Sequence, residues 1–354
     1  MEFSTTTSLT SSVVESNTSF FNNRTERYTG IESYNVPAFV YTVVLTVIGV
    51  VGNSHALFIN VQRFRYQIKQ QRGIRNPYIV FVLSLSILDM FACAVVLPME
   101  NADLSSPFTP FSDPMCKFFR YLQFVIHISS VFHIVLISIH CWRQVCYPRK
   151  RQLNGKLAIK CCLAFDVLAL SVSVMLRFLS GHKTKIIDGE TGDICIIGER
   201  NAEPTFLRAA MGILSFGFVG SLFIICLSYI ALLINKWTGK NANIDNSEGN
   251  TDRKRDLQKT TATLIILTVI FVVAYVPFMI LAAIKAVDRE FQNNLQGASA
   301  AAHGIFLRFP LINNVVNPFV YGLKDPGFRE KLLQIYPCLR RKETKSKDEA
   351  SPLN

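Results

Sequence analysis

Seven apolar stretches constrain this chain more than any other feature, because each is long enough, at about 20 residues, to cross a bilayer as a helix. Half of the 354 residues are hydrophobic and only 18% are charged, which is less charge than soluble proteins usually carry. We therefore predict an all-α membrane protein built as a seven-helix bundle. Spans 1 to 7 are expected near residues 37–62, 77–99, 115–146, 157–179, 205–236, 258–285 and 298–322.

The basic residues gather on one side of this predicted bundle. A net charge of +12 would suit a nucleic-acid partner, but the positive charge lies in the loops after spans 1, 3 and 5 and in the C-terminal tail. The loop after span 2 carries Glu100 and Asp103 and no base. By the positive-inside rule the basic loops are cytoplasmic, so the N-terminus lies outside and the C-terminus inside. We expect a multi-pass plasma-membrane protein whose basic face meets anionic lipid, with no nucleic-acid partner.

The chain outside the spans has its own signals. The first residues are rich in Ser, Thr and Asn and carry glycosylation sequons at Asn17 and Asn23. No apolar segment of a secretory signal peptide precedes span 1, which would then act as an uncleaved signal anchor. We predict a glycosylated extracellular tail, a seven-helix domain, an amphipathic membrane-surface helix and a disordered cytoplasmic tail at residues 1–36, 37–322, 323–338 and 339–354.

Two of the nine cysteines differ from the others. Most lie inside spans, where a cysteine is usually a small buried hydrophobic residue. Cys116 lies at the outer end of span 3 and Cys195 in the loop between spans 4 and 5, so both are expected in the oxidising outer compartment. We predict a disulfide that pins this loop across the mouth of the bundle.

Polar residues recur inside the apolar stretches, where they are costly and are therefore candidates for function. Span 7 carries the motif NPFVY from Asn317 to Tyr321, in which Pro318 frees a backbone carbonyl and bends the helix. Span 4 carries Asp166, whose partner the sequence does not identify. The remaining polar or helix-bending residues are Asn53, Asp89, Ser130, Pro277 and Asn313.

In their order on the spans, these residues resemble the rhodopsin-like (class A) G-protein-coupled receptors, and the resemblance runs from about residue 37 to residue 338. It implies a sodium ion in the middle of the bundle, with Asn53 supporting Asp89. The implied ligands of the ion are Asp89, Ser130, Asn313 and Asn317. A polar network held by water, with Asp89 protonated, is the alternative that the residues leave open. We expect no cofactor other than this ion, acting as an allosteric ligand.

The segment after span 7 also fits that family. Phe328, Leu332 and Ile335 recur at helical spacing between charged residues, which is typical of a short amphipathic helix on the inner leaflet. Cys338, next to basic residues, fits palmitoylation, and an unmodified cysteine fits equally well.

Other residues depart from the family pattern. Cys141 stands where the family has an arginine that meets the G protein, and Arg143 points about 200° further round the helix. Span 6 has Tyr275 in place of a tryptophan but keeps Pro277, and span 5 keeps Tyr229. Two explanations remain open: a divergent receptor that signals through substitute residues, or a receptor that no longer couples to G proteins.

The resemblance further implies a pocket for a small molecule or a peptide in the outer half of the bundle. Gln123 replaces the aspartate of amine receptors and Leu311 the lysine of opsins, which argues against an ammonium ligand and covalent retinal. Arg120, Arg177 and Arg308 suit either a ligand carboxylate or a local ion pair. The expected pocket residues are Met99, Arg120, Gln123, Phe124, His127, Ile213, Tyr275, Phe278, Met279, His303 and Leu307.

We therefore expect a cell-surface receptor that signals to heterotrimeric G proteins by outward movement of span 6. The alternative is an atypical receptor of the same fold that internalises ligand or recruits arrestin without activating a G protein. An enzyme is not expected because no catalytic motif emerges, and no internal repeat indicates a transporter. The residues expected to serve activation and coupling are Cys141, Tyr229, Pro277, Asn317, Pro318 and Tyr321.

Overall fold

The helices predicted from the apolar stretches are present in a computed structural model of the chain. It describes residues 6–70, 76–106, 108–147, 150, 152–178, 180–187, 190–197, 204–237, 248–288, 291 and 295–336. Six helices in this part of the chain are long and apolar enough to cross a membrane. The seventh predicted stretch follows as shorter helical pieces. The predicted helical membrane bundle is confirmed.

The helices follow the predicted spans closely. Spans 1 to 3 consist of α1 (Thr6–Gln70), of α2 (Pro77–Phe91) with a π-helical turn (Ala92–Val96) and α3 (Leu97–Leu104), and of α4 (Asp113–Cys146). Spans 4 to 6 are α5 (Gly155–Arg177), α6 (Pro204–Trp237) and α7 (Glu248–Val287). Span 7 consists of α8 (Gly297–Arg308), a 3-10 turn (Phe309–Ile312) and α9 (Asn313–Lys324), and α10 (Pro326–Ile335) follows it.

The first helix is longer than its apolar stretch. It begins at Thr6 and continues through Pro37, and its candidate membrane span is Asn35–Gln70. Ser, Thr and Asn favour helices less than Ala or Leu do, so composition alone indicated a separate tail. The side chains of Asn17 and Asn23 lie outside the described part of this helix. Cys338 and the tail 339–354 also lie outside the described residues, so the expectations for them stay predictions.

Prolines accompany the breaks in regular α-geometry in spans 2 and 7. Pro98 has no N–H to donate to the carbonyl of Ala94, and the turn before it is π-helical. In span 7 the 3-10 turn contains Pro310, whereas α9 continues through Pro318. The irregular turn therefore lies at Pro310 and not at Pro318, where the sequence motif predicts it. The 3-10 turn matters because it sets the orientation of the asparagines that begin α9.

A β-hairpin covers the outer end of span 3. Strands β1 (Ser180–Ile187) and β2 (Glu190–Ile197) pair in antiparallel register, with His182 opposite Cys195. Cys195 is bonded to Cys116 near the start of α4, as predicted, with their Cα atoms 5.7 Å apart. The backbone N–H of His182 also donates to Asp113 Oδ1 at 2.9 Å. The hairpin itself was not predicted, because its residues alternate irregularly between polar and apolar.

At the other end of the bundle, Asp325 ties α10 to spans 1 and 2. Its Oδ1 atom accepts the N–H of Phe328 at 3.1 Å and caps α10. Its Oδ2 atom accepts hydrogen bonds from Arg63 Nη1 at 2.7 Å and from the Tyr78 hydroxyl at 2.8 Å. Phe328 is buried with its ring centroid 5.7 Å from that of Tyr321, so the end of span 7 and α10 pack as one unit.

We predict that Asp325→Ala loosens α10 more than Asp325→Asn does. Alanine removes the helix cap, worth about 1 kcal/mol, and leaves Arg63 and Tyr78 without their acceptor, whereas asparagine keeps a capping oxygen. Hydrogen–deuterium exchange at the amide of Phe328 should rise about fivefold or more in the alanine variant, since loss of the cap alone accounts for that factor. Arg329→Ala, which changes an exposed residue of the same helix, is the control. Equal exchange in all three variants would contradict this role of Asp325.

Candidate functional site

The outer half of the bundle holds a cluster of aromatic rings from spans 3, 5 and 6. His127 Nδ1 lies 2.9 Å from the Tyr275 hydroxyl, and the two rings meet edge to face. The Tyr275 ring also packs on Phe271 and Phe218, at centroid distances of 4.4 Å and 5.4 Å. Phe278 stacks on the other side of His127. A ligand that moves His127 would therefore act directly on span 6.

Beside this cluster, the carboxylate of Glu100 lies at the centre of a charged network. Glu100 is 2% exposed, and its Oε1 atom accepts a hydrogen bond from Arg308 Nε at 2.6 Å. Its Oε2 atom accepts a hydrogen bond from Gln123 Nε2 at 2.5 Å and lies 3.6 Å from Arg120 Nη1. The network thus joins span 2, which carries Glu100, to spans 3 and 7.

Arg120 extends this network to the hairpin. Its Nη2 atom donates to Asp103 Oδ2 at 3.2 Å and to the backbone carbonyl of Cys195 at 3.0 Å, and its Nη1 atom donates to Gln123 Oε1 at 2.8 Å. The guanidinium also lies over the ring of Phe119. Arg120 therefore holds the disulfide-bonded strand against the helices by a second, polar contact.

These contacts decide between the two roles left open for Arg120 and Arg308, and they identify two acidic residues that were not among the expected site residues. Arg120 and Arg308 pair locally, with Glu100 and Asp103, instead of standing free for a ligand carboxylate. The sequence pattern predicts a loop at Glu100 and Asp103 because they follow the apolar stretch of span 2. Their position at the outer end of a membrane helix, where acids need partners, was the signal that could have identified them.

The other expected pocket residues differ in how deeply they are buried. His303 is buried and its ring meets that of Phe291 edge to face. Met99, Phe124, Met279 and Leu307 are partly buried. Ile213 is 71% exposed, so it does not contribute to a closed pocket wall. The ligand-binding role of the whole set stays a prediction.

A second carboxylate, Asp89, organises the middle of the bundle. Its Oδ1 atom accepts the side-chain amide of Asn314 at 3.0 Å, and its Oδ2 atom accepts that of Asn317 at 2.6 Å. Asn53 donates to the Asn314 backbone carbonyl at 2.8 Å. The structure thus brings Asp89 and Asn317 together, as predicted, and joins span 1 to span 7 beside them.

Two details of this centre differ from the expectation. Beside Asn317, the described asparagine that donates to Asp89 is Asn314, whereas Asn313 is buried and makes no hydrogen bond to Asp89. Asn53 contacts Asn314 and the Cys93 thiol instead of Asp89. The preceding 3-10 turn shifts the angular positions of both asparagines, and no sequence pattern predicts that shift.

Other buried polar atoms lie near the same level. Ser130 Oγ is buried and has no hydrogen-bond partner among the described residues. His133 lies one turn further along span 3; its Nδ1–H donates to the Ser129 carbonyl at 2.8 Å, and its Nε2 accepts from the Ser84 hydroxyl at 2.7 Å. Asp166 Oδ1 lies 3.8 Å from His133 Nδ1 and has no hydrogen-bond partner among the described residues.

The described residues contain no group of three or more His, Cys, Asp or Glu side chains that could hold a metal. A transition-metal centre of that kind is therefore not part of the described bundle. Asp89 and the unpartnered hydroxyl of Ser130 instead offer oxygen, the ligand type that hard cations require.

The half of the bundle that is expected to face the cytoplasm contains the residues expected to serve activation. Cys141 is fully buried near the end of α4, while Arg143 is exposed. The Tyr229 hydroxyl lies 2.7 Å from Thr268 Oγ1 and connects span 5 to span 6. Tyr321 is fully buried at the end of span 7, and its hydroxyl has no hydrogen-bond partner among the described residues.

Comparison with known proteins gives consistent results. The family "7 transmembrane receptor (rhodopsin family)" matches residues 66–321 of the chain. Galanin receptor 2b of Danio rerio is 25% identical over 325 residues, which cover 89% of this chain and 80% of that protein. Somatostatin receptor type 5 of Rattus norvegicus is 24% identical over 318 residues, covering 88% and 80%. Neuropeptide Y receptor type 6 of Mus musculus is 23% identical over 305 residues, covering 83% and 78%.

We predict that Glu100→Ala destabilises the protein strongly, because it leaves Arg120 and Arg308 without their shared acceptor. Removing one partner of a buried ion pair typically costs about 3–5 kcal/mol. Glu100→Gln, which keeps an acceptor oxygen, should cost less. Thermal unfolding of the purified protein in detergent measures both, with Glu330→Ala, a change of an exposed acid on α10, as control. If Glu100→Ala and Glu330→Ala unfold at the same temperature, the network does not stabilise the bundle.

Proposed function

Because the chain belongs to the rhodopsin family of seven-transmembrane receptors, we propose that it binds an extracellular peptide and activates a heterotrimeric G protein. Members of this family are in general receptors and not enzymes. The proposal places the protein in the plasma membrane, with its N-terminus and hairpin outside and α10 on the cytoplasmic side. The basic loops after spans 1, 3 and 5 support this orientation.

The observation that carries the proposal is the Glu100 network beneath the hairpin. It offers ion-pairing groups from three spans at the outer end of the bundle, and Arg120 and Arg308 keep 14% and 16% of their side-chain surface exposed. A charged group of a ligand that competes for one of these partners would alter how spans 2, 3 and 7 are joined. The similar receptors named for galanin, somatostatin and neuropeptide Y are peptide receptors, which supports a peptide as the ligand.

Contacts within the bundle support a route from this site to the cytoplasmic side. The His127–Tyr275 hydrogen bond couples span 3 to span 6 two residues before Pro277, which interrupts the hydrogen-bond ladder of α7. At the cytoplasmic end, Tyr229 and Thr268 couple span 6 to span 5. Span 6 would swing outward about Pro277 when the upper contact changes, opening an inner cavity.

We further propose that Asp89 and Ser130 hold a sodium ion, completed by Asn313 and Asn317. Asp89 supplies one carboxylate, and the buried, unpartnered Ser130 hydroxyl supplies a second oxygen. The ion would balance the charge of Asp89 and hold spans 2, 3 and 7 in the resting arrangement.

A second function is favoured by Cys141. The side chain is buried and neutral where a cation would reach the G protein, and the exposed Arg143 does not occupy its place. A receptor that binds peptide but recruits only arrestin, or internalises its ligand, would have this property.

The experiment compares wild type with Cys141→Arg at matched surface expression. G-protein dissociation and arrestin recruitment are measured in cells by resonance energy transfer, without ligand and with a library of amidated and free-acid peptides. We expect wild type to activate a G protein above mock-transfected cells, and Cys141→Arg to raise the basal signal by restoring the cation. G-protein activation by Cys141→Arg alone, with arrestin recruitment by both, would favour the second function.

We predict that sodium stabilises the wild-type protein and not Asp89→Asn. Thermal unfolding is measured in sodium chloride and in N-methylglucamine chloride at equal ionic strength. At a sodium concentration ten times the Kd, binding stabilises the folded state by about 1.4 kcal/mol. Asp166→Asn changes an intramembrane acid outside the proposed site and should keep the response. An equal response in Asp89→Asn would contradict the site.

A further inference from the structure

An open groove lies between spans 1 and 2 on the surface of the bundle and takes no part in the proposed signalling. Its volume is about 510 Å³. Its walls are largely apolar and come from Leu57, Phe58 and Val61 on α1 and from Met90 on α2. Phe58 is 53% exposed, so no protein segment in the described part of the chain covers this face.

The two ends of the groove differ in polarity. At the deep end, Ser54 donates to the Val50 carbonyl at 2.6 Å, so its hydroxyl proton is satisfied. At the other end, Gln62 and Arg65 are exposed. Arg65 makes no ion pair with any described acid, whereas its neighbour Arg63 is held by Asp325. The groove thus ends in a guanidinium that is available to an anion.

The length of the groove fits one leaflet of a bilayer. From Ser54 to Arg65, α1 rises roughly 16 Å at about 1.5 Å per residue, close to half of a hydrocarbon core that is about 30 Å thick. Met90 adjoins Asp89 in the middle of span 2, and Arg65 precedes the basic loop after span 1. On the proposed topology, the groove runs from the bilayer midplane to the cytoplasmic headgroups.

We propose that this groove binds an anionic glycerophospholipid of the cytoplasmic leaflet. The phosphate accepts hydrogen bonds from Arg65, whose planar guanidinium matches two phosphate oxygens, and from the Gln62 amide. One acyl chain covers Leu57, Phe58 and Val61. The cytoplasmic leaflet is the one rich in anionic lipid. The charge of Arg65, the depth of the groove in the bilayer and its apolar wall therefore favour the same ligand.

The test titrates the purified protein with phosphatidylserine or phosphatidylcholine of identical acyl chains and counts retained lipids by native mass spectrometry. Wild type should retain phosphatidylserine preferentially. Arg65→Gln should lower that retention about fivefold, the effect expected for one basic residue at an anionic surface. Lys156→Gln removes an exposed cation at the proposed cytoplasmic end of span 4 and should leave phosphatidylserine retention unchanged.

A second pair of variants tests the apolar wall without changing charge. Val61→Trp should fill the groove and lower lipid retention, whereas Val167→Trp, at a residue of span 4 that is 60% exposed, should not. Soluble glycerophosphoserine should fail to compete if the acyl chain contributes. The proposal is overturned if Arg65→Gln and Lys156→Gln behave alike, if Val61→Trp retains lipid as wild type does, or if the headgroup alone displaces the lipid.

Discussion

Inside a bilayer every buried polar group must find its partner within the protein, and this constraint organises the whole bundle along span 2. Tyr78, Asp89 and Glu100 follow one another at intervals of eleven residues, about three turns of an α-helix, and all three are buried. Each lies in a polar node: Tyr78 with Asp325, Asp89 with the span 7 asparagines, and Glu100 with two arginines. At the inner, middle and outer levels, span 2 is thus bonded to span 7 or to the helix that follows it.

The nodes divide the bundle into a frame and a more weakly joined part. Spans 2 and 7 are connected at all three levels, and span 1 joins them at the inner and middle levels through Arg63 and Asn53. Span 3 joins this group at the outer level through Arg120. Span 6 is joined to its neighbours by single polar contacts, such as those made by Tyr275 and Thr268, and otherwise by apolar packing. Apolar contacts can slide at little cost in hydrogen bonding, whereas breaking a node would leave a charge unpaired. The proposed movement of span 6 against this frame follows from that difference.

The sequence predicted whatever depends on long apolar runs or on compartment: the spans, the helix after span 7 and the Cys116–Cys195 bridge. The resemblance to the receptor family, carried by polar residues in those runs, placed Asp89 and Asn317 at one site. The sequence did not predict the role of Asn314, because a 3-10 turn at Pro310 sets which asparagine faces Asp89. It did not predict the role of Glu100, because an acidic residue that follows an apolar run is typical of a loop. The hairpin and the Glu100 network depend on tertiary contacts that no local pattern records.

The central claim is that span 6 moves while spans 1, 2 and 7 stay fixed, despite a buried cysteine in place of the coupling arginine. Double electron–electron resonance measures this directly, with spin labels at Tyr66 and Ala262 for span 6 and at Tyr66 and Lys331 for the frame. The variant used lacks the exposed Cys226, the partly buried Cys146 and Cys161, and Cys338. On adding nucleotide-free G protein, we predict a longer Tyr66–Ala262 distance and an unchanged Tyr66–Lys331 distance. An unchanged first distance, or a change in both, would contradict the account.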